Sequence, residues 1–151
     1  MYIKFRKYKV EDQDEFSQMV IDFYKEVPTN KHPNQASALK TINELTTFTE
    51  KGQIILFEQE GVIIGYSILI FFWSNEYGGN FVNIDELYVK EEFRSQGIAQ
   101  QFFEHLKETP PKHAVALQLE VSPKNTKAHD LYQKMGFEPH ENIVLDFDLN
   151  P

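Results

Sequence analysis

A strand-like run from Phe81 to Val89 is followed by Arg94-Ser95-Gln96-Gly97-Ile98-Ala99, and Gln100 to Lys107 then repeats its apolar residues at helical spacing. A turn ending in Gly and Ala therefore opens a helix directly after a strand. The first turn of such a helix has backbone N–H groups without internal partners, and the helix macrodipole adds partial positive charge there. Gly97 and Ala99 let a ligand approach that backbone closely, which suits a diphosphate. Taken alone, the same residues also describe an ordinary turn.

The second informative stretch runs from Val121 to Phe137. It reads as a strand end, a loop, a short helix from Asn125, a Gly136 cap and a strand start. Together the two stretches resemble the GNAT-type N-acetyltransferases. That family pairs R/Q-x-x-G-x-G/A with a later N-x-x-A-x-x-x-Y-x-x-x-G-F. Arg94, Gly97 and Ala99 match the first pattern, and Asn125, Ala128, Tyr132, Gly136 and Phe137 match the second.

The element order agrees. Ile3 and Phe5 alternate as in a half-buried strand, and Phe16, Met19, Val20, Phe23 and Val27 mark an amphipathic helix ended by Pro28. A second helix is expected from Gln35 to Phe48, capped by Asn34, with Ala38, Ile42 and Leu45 on one face. Strands follow at Ile54–Phe57 and Val62–Phe72 around Glu60-Gly61, then a loop from Trp73 to Asn80 and the Phe81–Val89 strand. After the motif turn and its helix come a strand from Ala114 to Val121, the short helix and a last strand from Ile143 to Leu149. The order β-α-α-β-β-β-α-β-α-β is that of the GNAT fold. It is an α/β (α+β) architecture with a mixed, largely antiparallel sheet flanked by helices. The resemblance covers essentially the whole chain and implies one N-acetyltransferase domain over residues 1–151.

Composition narrows the function from another side. The chain has 151 residues, 41% of them hydrophobic, with thirteen Phe and seven Tyr, ample for one packed core. Its net charge of −8 comes without a basic cluster, which argues against nucleic acid as a partner. The charge would steer cationic amines inward, or would serve solubility alone. The absence of cysteine excludes disulfides and thiolate nucleophiles, so acyl transfer here is direct or uses another nucleophile. The apolar run Val62–Trp73 is broken by Gly65 and Ser67 and falls short of the roughly 20 residues of a membrane span. The first residues lack a signal-peptide pattern, and a cytoplasmic setting is expected. The five histidines show no metal-ligand spacing, so no metal site is implied.

The resemblance assigns roles residue by residue. Acetyl-CoA is the expected cosubstrate, with its diphosphate on Ser95, Gln96, Gly97, Ile98, Ala99 and Gln100. Arg94 either adds a charge contact or is a solvated turn residue. The backbone of Leu87, Tyr88 and Val89 would pair with the pantetheine arm, and the Val89 N–H would donate to the thioester carbonyl. Asn125 is a helix N-cap on structural grounds, and the family adds a contact to the pantetheine arm or to a water.

Tyr132 is the candidate general acid, although its ring could also complete the apolar face of its helix. A phenol with an ordinary pKa near 10 stays protonated at neutral pH and can donate to a departing thiolate. Glu86 is the candidate base, in competition with Asp85, Glu120 and water. Strand alternation groups Glu86 with Val82, Ile84 and Tyr88, and puts Asp85 with Leu87 and Val89.

The resemblance implies a primary amine of a small molecule or peptide as the acceptor. The loop bearing His32 walls the acceptor site in relatives, while Trp73, Glu76 and Tyr77 offer either an aromatic, acidic cation site or plain loop packing. A non-catalytic acyl-CoA-binding module is the alternative function. A homodimer through the apolar last strand is the expected assembly.

Overall fold

Residues 2–151 are described by a computed structural model. By backbone contacts they form two units, one through Glu120 and one spanning Val121–Pro151. In the first unit, β1 (Lys4–Lys7), β2 (Gly52–Gln59), β3 (Val62–Ser74), β4 (Gly79–Val89) and β5 (Ala114–Leu119) form one sheet in sequence order. The first three pairings are antiparallel, and β4 with β5 is parallel. The connection between the parallel strands carries α3 (Ile98–Glu108), as a crossover requires.

Two helices cover one face. Helix α1 (Gln13–Glu26) and α2 (Gln35–Thr47) bury Phe16, Met19, Val20, Ala38 and Leu45 against Ile54, Leu56, Tyr66, Ile68 and Tyr88. These sheet residues alternate along β2 and β3, so the period-two pattern of the strands meets the apolar stripe of the helices. Phe16 stands edge-on to Tyr66 at 5.1 Å, and each such buried aromatic contributes about 1.5–3 kcal/mol by leaving water. The expected N-cap of α2 is present: Asn34 Oδ1 accepts the Ser37 N–H at 3.2 Å.

The alternate residues serve the other face. Phe57 meets Phe102 of α3 at 4.8 Å and Phe5 of β1 at 5.1 Å. A fork–fork ion pair joins the end of β1 to the start of α1: Arg6 Nη1 and Nη2 donate to Asp12 at 2.8 and 2.9 Å. The Arg6 hydrogen bonds hold the Asp12 carboxyl below its usual range, so the pair persists well into acid.

Two expectations need correction. The loop foreseen from Trp73 to Asn80 is half strand, since Trp73 pairs with Asn80 and only residues 75–78 turn. The last strand is not formed. Ile143 to Leu149 makes no ladder, and Ile143, Val144, Leu145, Phe147 and Leu149 are exposed. Propensity without a pairing partner gives no strand. The second unit has one helix, α4 (Thr126–Lys134).

Candidate active site

The backbone of β4 sets up the first part of the site. Lys90 N–H donates to the Ile64 carbonyl at 2.9 Å, in register with the Tyr66–Tyr88 pair. In an antiparallel ladder the pairs between these are the non-hydrogen-bonded kind. Val89, opposite Gly65, and Leu87, opposite Ser67, therefore direct their N–H and C=O groups away from β3. On that side β5 pairs only as far as Ile84 with Leu119, so the β4 edge opens beyond Ile84.

Arg94 is partly exposed, and its guanidinium is engaged by the protein itself. Its Nε donates to the Val89 carbonyl at 2.7 Å, and Nη2 holds both Glu26 oxygens at 2.9 Å. The guanidinium also lies 5.4 Å from the Tyr88 ring centroid. It fastens the end of β4 to the last residue of α1 through Nε and Nη2. Glu26 carried no sequence signal for this pairing, which spans 68 positions.

The turn behind Arg94 has the shape its sequence suggested. Ser95 and Gly97 both take left-handed backbone conformations, at φ 62° and 75°. Gln101 N–H closes the first turn of α3 on the Gly97 carbonyl, so the N–H groups of Ile98, Ala99 and Gln100 have no i−4 partner. No acidic side chain occupies that first turn, and Ile98 is buried beneath it. A Cβ on Gly97 would meet no atom within 4 Å, so open space lies over the turn. These features fit an anionic group such as a diphosphate.

Glu86 owes its surroundings to a β-bulge. Ile84 lies opposite Leu69 and Glu86 opposite Ile68, which leaves Asp85 as the extra residue. Directly opposed residues share a face, so the bulge moves Glu86 and Tyr88 to the side of Tyr66 and Ile68. Val82 and Ile84 stay on the side of Leu69. The simple alternation, which grouped Glu86 with Val82 and Ile84, is corrected here. Glu86 is 9% exposed and lies among tyrosines. Tyr66 Oη donates to its Oε1 at 2.7 Å, and Tyr24 Oη donates to Oε2. Burial raises the Glu86 carboxyl above its ordinary 4.5, and the two phenols pull it partly back. Tyr24 and Tyr66 escaped the sequence reading because each sits where an ordinary core aromatic would.

The other acidic candidates differ: Asp85 and Glu120 are exposed. Trp73 lies five β3 positions beyond Ile68, about 17 Å at strand rise, so the hairpin tip is far from Glu86. There Tyr77 packs edge-on against Phe81 at 4.8 Å, the plain packing alternative. His32 is exposed, with φ 49°. Among the described residues, no group of three or more His, Cys, Asp and Glu side chains is placed to hold a metal ion. Nor is any helix long and apolar enough to cross a membrane.

In the second unit, Asn125 Oδ1 accepts the Ala128 N–H at 3.2 Å and caps α4. The helix ends with Phe137 N–H on the Tyr132 carbonyl and Gly136 N–H on the Gln133 carbonyl, both at 3.0 Å. Gly136 supplies the left-handed residue that this ending needs, at φ 99°. The Tyr132 ring meets Phe137 edge-on at 6.0 Å. Partial burial raises the Tyr132 phenol above its ordinary 10.0, so it is protonated at neutral pH.

Comparison with known proteins agrees with this geometry. The family model for the acetyltransferase (GNAT) family matches residues 16–137. Over 75 residues, 49% of this chain, the sequence is 33% identical to thialysine N-epsilon-acetyltransferase of Bos taurus. That stretch covers 44% of the bovine protein, so the match reaches less than half of the relative's length. A crystal structure described as a possible acetyltransferase from Clostridium difficile 630 superimposes with a TM-score of 0.84, at 20% identity and 99% coverage of both chains. An aminoglycoside N-acetyltransferase in complex with CoA gives a TM-score of 0.77 at 17% identity, covering 98% of this chain and 95% of that one. The chain belongs to the GNAT family of acetyltransferases.

Proposed function

We propose that the chain, as one acetyltransferase domain over residues 1–151, moves an acetyl group from acetyl-CoA to a primary amine of a small molecule or peptide by direct attack. The observation that carries this reading is the open β4 edge at Leu87 and Val89, continued by the turn and helix start at Ser95 to Gln100. When bound, acetyl-CoA supplies the activated acyl group as a thioester. The α3 amides, with Ser95, Gln96 and Gly97, receive the diphosphate. Leu87 and Val89 offer strand-like pairing to the pantetheine arm, Tyr88 supplies the backbone between them, and the Val89 N–H donates to the acyl oxygen as charge develops. Arg94 holds the Val89 carbonyl, and so fixes the direction of that N–H. Glu86 takes the amine proton. On the strength of their motif, Tyr132 returns a proton to the departing sulfur and Asn125 caps its helix and contacts the pantetheine arm.

The absence of cysteine favours direct transfer over a thioester-linked enzyme. The curated relative acts on the ε nitrogen of thialysine, which supports an aliphatic amine as acceptor. A cytoplasmic setting and a homodimer through the exposed Ile143–Leu149 stretch complete the proposal. Light scattering that gives the monomer mass across a dilution series would remove the dimer.

The central test is release of CoA thiol with an amine panel, alongside titration calorimetry with acetyl-CoA. Binding without amine-dependent release would make the chain an acyl-CoA-binding module. Gly97→Val should weaken acetyl-CoA binding tenfold or more, because its side chain enters the open space over the turn. It also strains a left-handed residue by about 1–2 kcal/mol, so melting is measured in parallel. Native affinity in a folded Gly97→Val would show that the turn does not hold the phosphates.

A further inference from the structure

Beneath Glu86, between α1, α2 and β3, lies a cavity of about 130 Å³. Phe16, Val20, Ala38 and Ile68 make its walls mostly apolar, Ser37 and Thr41 add two hydroxyls, and Glu86 beside Tyr24 is its charged end. We propose that this cavity seats the acceptor and selects a slender, unbranched aliphatic amine, whose nitrogen meets Glu86 and whose chain fills the apolar space. The inference rests on the reading of Glu86 as the group that takes the amine proton.

Size is the first argument. At about 30 Å³ for each water-sized group, the cavity holds roughly four non-hydrogen atoms. It is smaller than the ~300–1,000 Å³ of a site that encloses a whole drug-sized ligand. An amine therefore enters with about four chain atoms before any ring, branch or charged group, and the rest of the molecule stays outside. A hexosamine ring has roughly twice as many atoms attached at that distance, and its hydroxyls would face Phe16, Val20, Ala38 and Ile68, while the Ser37 and Thr41 hydroxyls already bond within α2 and its cap.

Polarity supplies the second argument. A carboxylate offers about four lone-pair positions. The phenols of Tyr24 and Tyr66 take one on each oxygen, and one on each oxygen remains for an N–H donor. Asp85 acts on the Glu86 carboxyl with the same sign. The end of the cavity is thus complementary to an amine and hostile to an anion, while the walls favour hydrocarbon.

The experiment compares n-propylamine, n-butylamine, n-pentylamine, sec-butylamine, cyclohexylamine and glucosamine by thiol release at saturating acetyl-CoA. The kcat/KM should climb along the linear series up to about four carbons, and fall about tenfold or more for the branched and cyclic amines. Two variants move the walls in opposite directions. Val20→Ala should raise sec-butylamine relative to n-butylamine at least fivefold. Thr41→Leu, at a half-buried position lining the cavity, should lower n-butylamine tenfold while sparing methylamine. Thr41 gives up only a hydroxyl bond to the Ser37 carbonyl of its own helix, so this variant decides the matter if Val20→Ala fails to fold.

Acetylation of sec-butylamine and glucosamine as fast as n-butylamine, or an unchanged ranking in folded Thr41→Leu, would overturn the inference and leave the proposed function standing. Thiol release with a lysine-containing peptide and with none of these amines would also overturn the inference, and release with neither would overturn the proposed function itself.

Discussion

Replacing Glu86 with Gln should lower turnover with any accepted amine by about two to four powers of ten, the range for a lost general base. The substitution keeps the shape of the side chain. Gln Oε1 can still accept from one phenol, and the other phenol can rotate its O–H and accept from the amide. Stability should hold or rise. The fold lifts the Glu86 carboxyl above its unfolded value, so the ionised form weakens the folded state once pH exceeds both values, and Gln removes that cost.

The pH profile separates a base from a structural carboxylate. In the native chain kcat/KM should climb as Glu86 loses its proton, on a limb lying above 4.5. The Gln variant should lack that limb. Turnover within about threefold of native, with the limb intact, would hand the proton to water or to another carboxylate.

Tyr132→Phe should reduce turnover by about one to four powers of ten and leave acetyl-CoA affinity largely as it was. The ring and its edge contact with Phe137 survive the change, and the helix ending depends on the backbone of Tyr132 and Gly136, so melting should barely shift. Burial lifts the phenol above 10.0, which keeps the proton in place through neutral pH and available to the sulfur as negative charge builds there. The loss should be greatest with amines whose attack is fast, where sulfur departure limits the rate. Unchanged turnover across pH would return Tyr132 to a packing role.

The elements of the sheet and its helices were legible because each has a local signature. Asn34 and Asn125 announce their helices, Pro28 closes α1, and the spacing of Phe16, Met19 and Val20 names the buried face. The turn at Gly97 was legible for the same reason, since φ 75° is a local demand. What sequence could not supply was anything decided across the sheet. Tyr24 is 62 positions from Glu86 and Tyr66 is 20, and nothing in either neighbourhood marks a polar partner. Arg94 showed its charge but not its engagement by Val89 and Glu26. The Ile143–Leu149 stretch marks the opposite limit, because strand propensity is realised only through a partner.

The extra residue in β4 also sets how this strand can change in length. Val82 and Ile84 look to one face, Glu86 and Tyr88 to the other, and a single unpaired position at Asp85 separates the two settings. Deleting it would join Ile84 directly to Glu86, and because these two already stand opposite Leu69 and Ile68, adjacent residues of β3, the register and both faces would survive. Only the local kink and extra twist of the bulge would go. An insertion into the regular stretch is the damaging change, since one more residue there turns everything beyond it to the opposite face. Length is thus negotiable at Asp85, where the strand already carries one residue more than its partner.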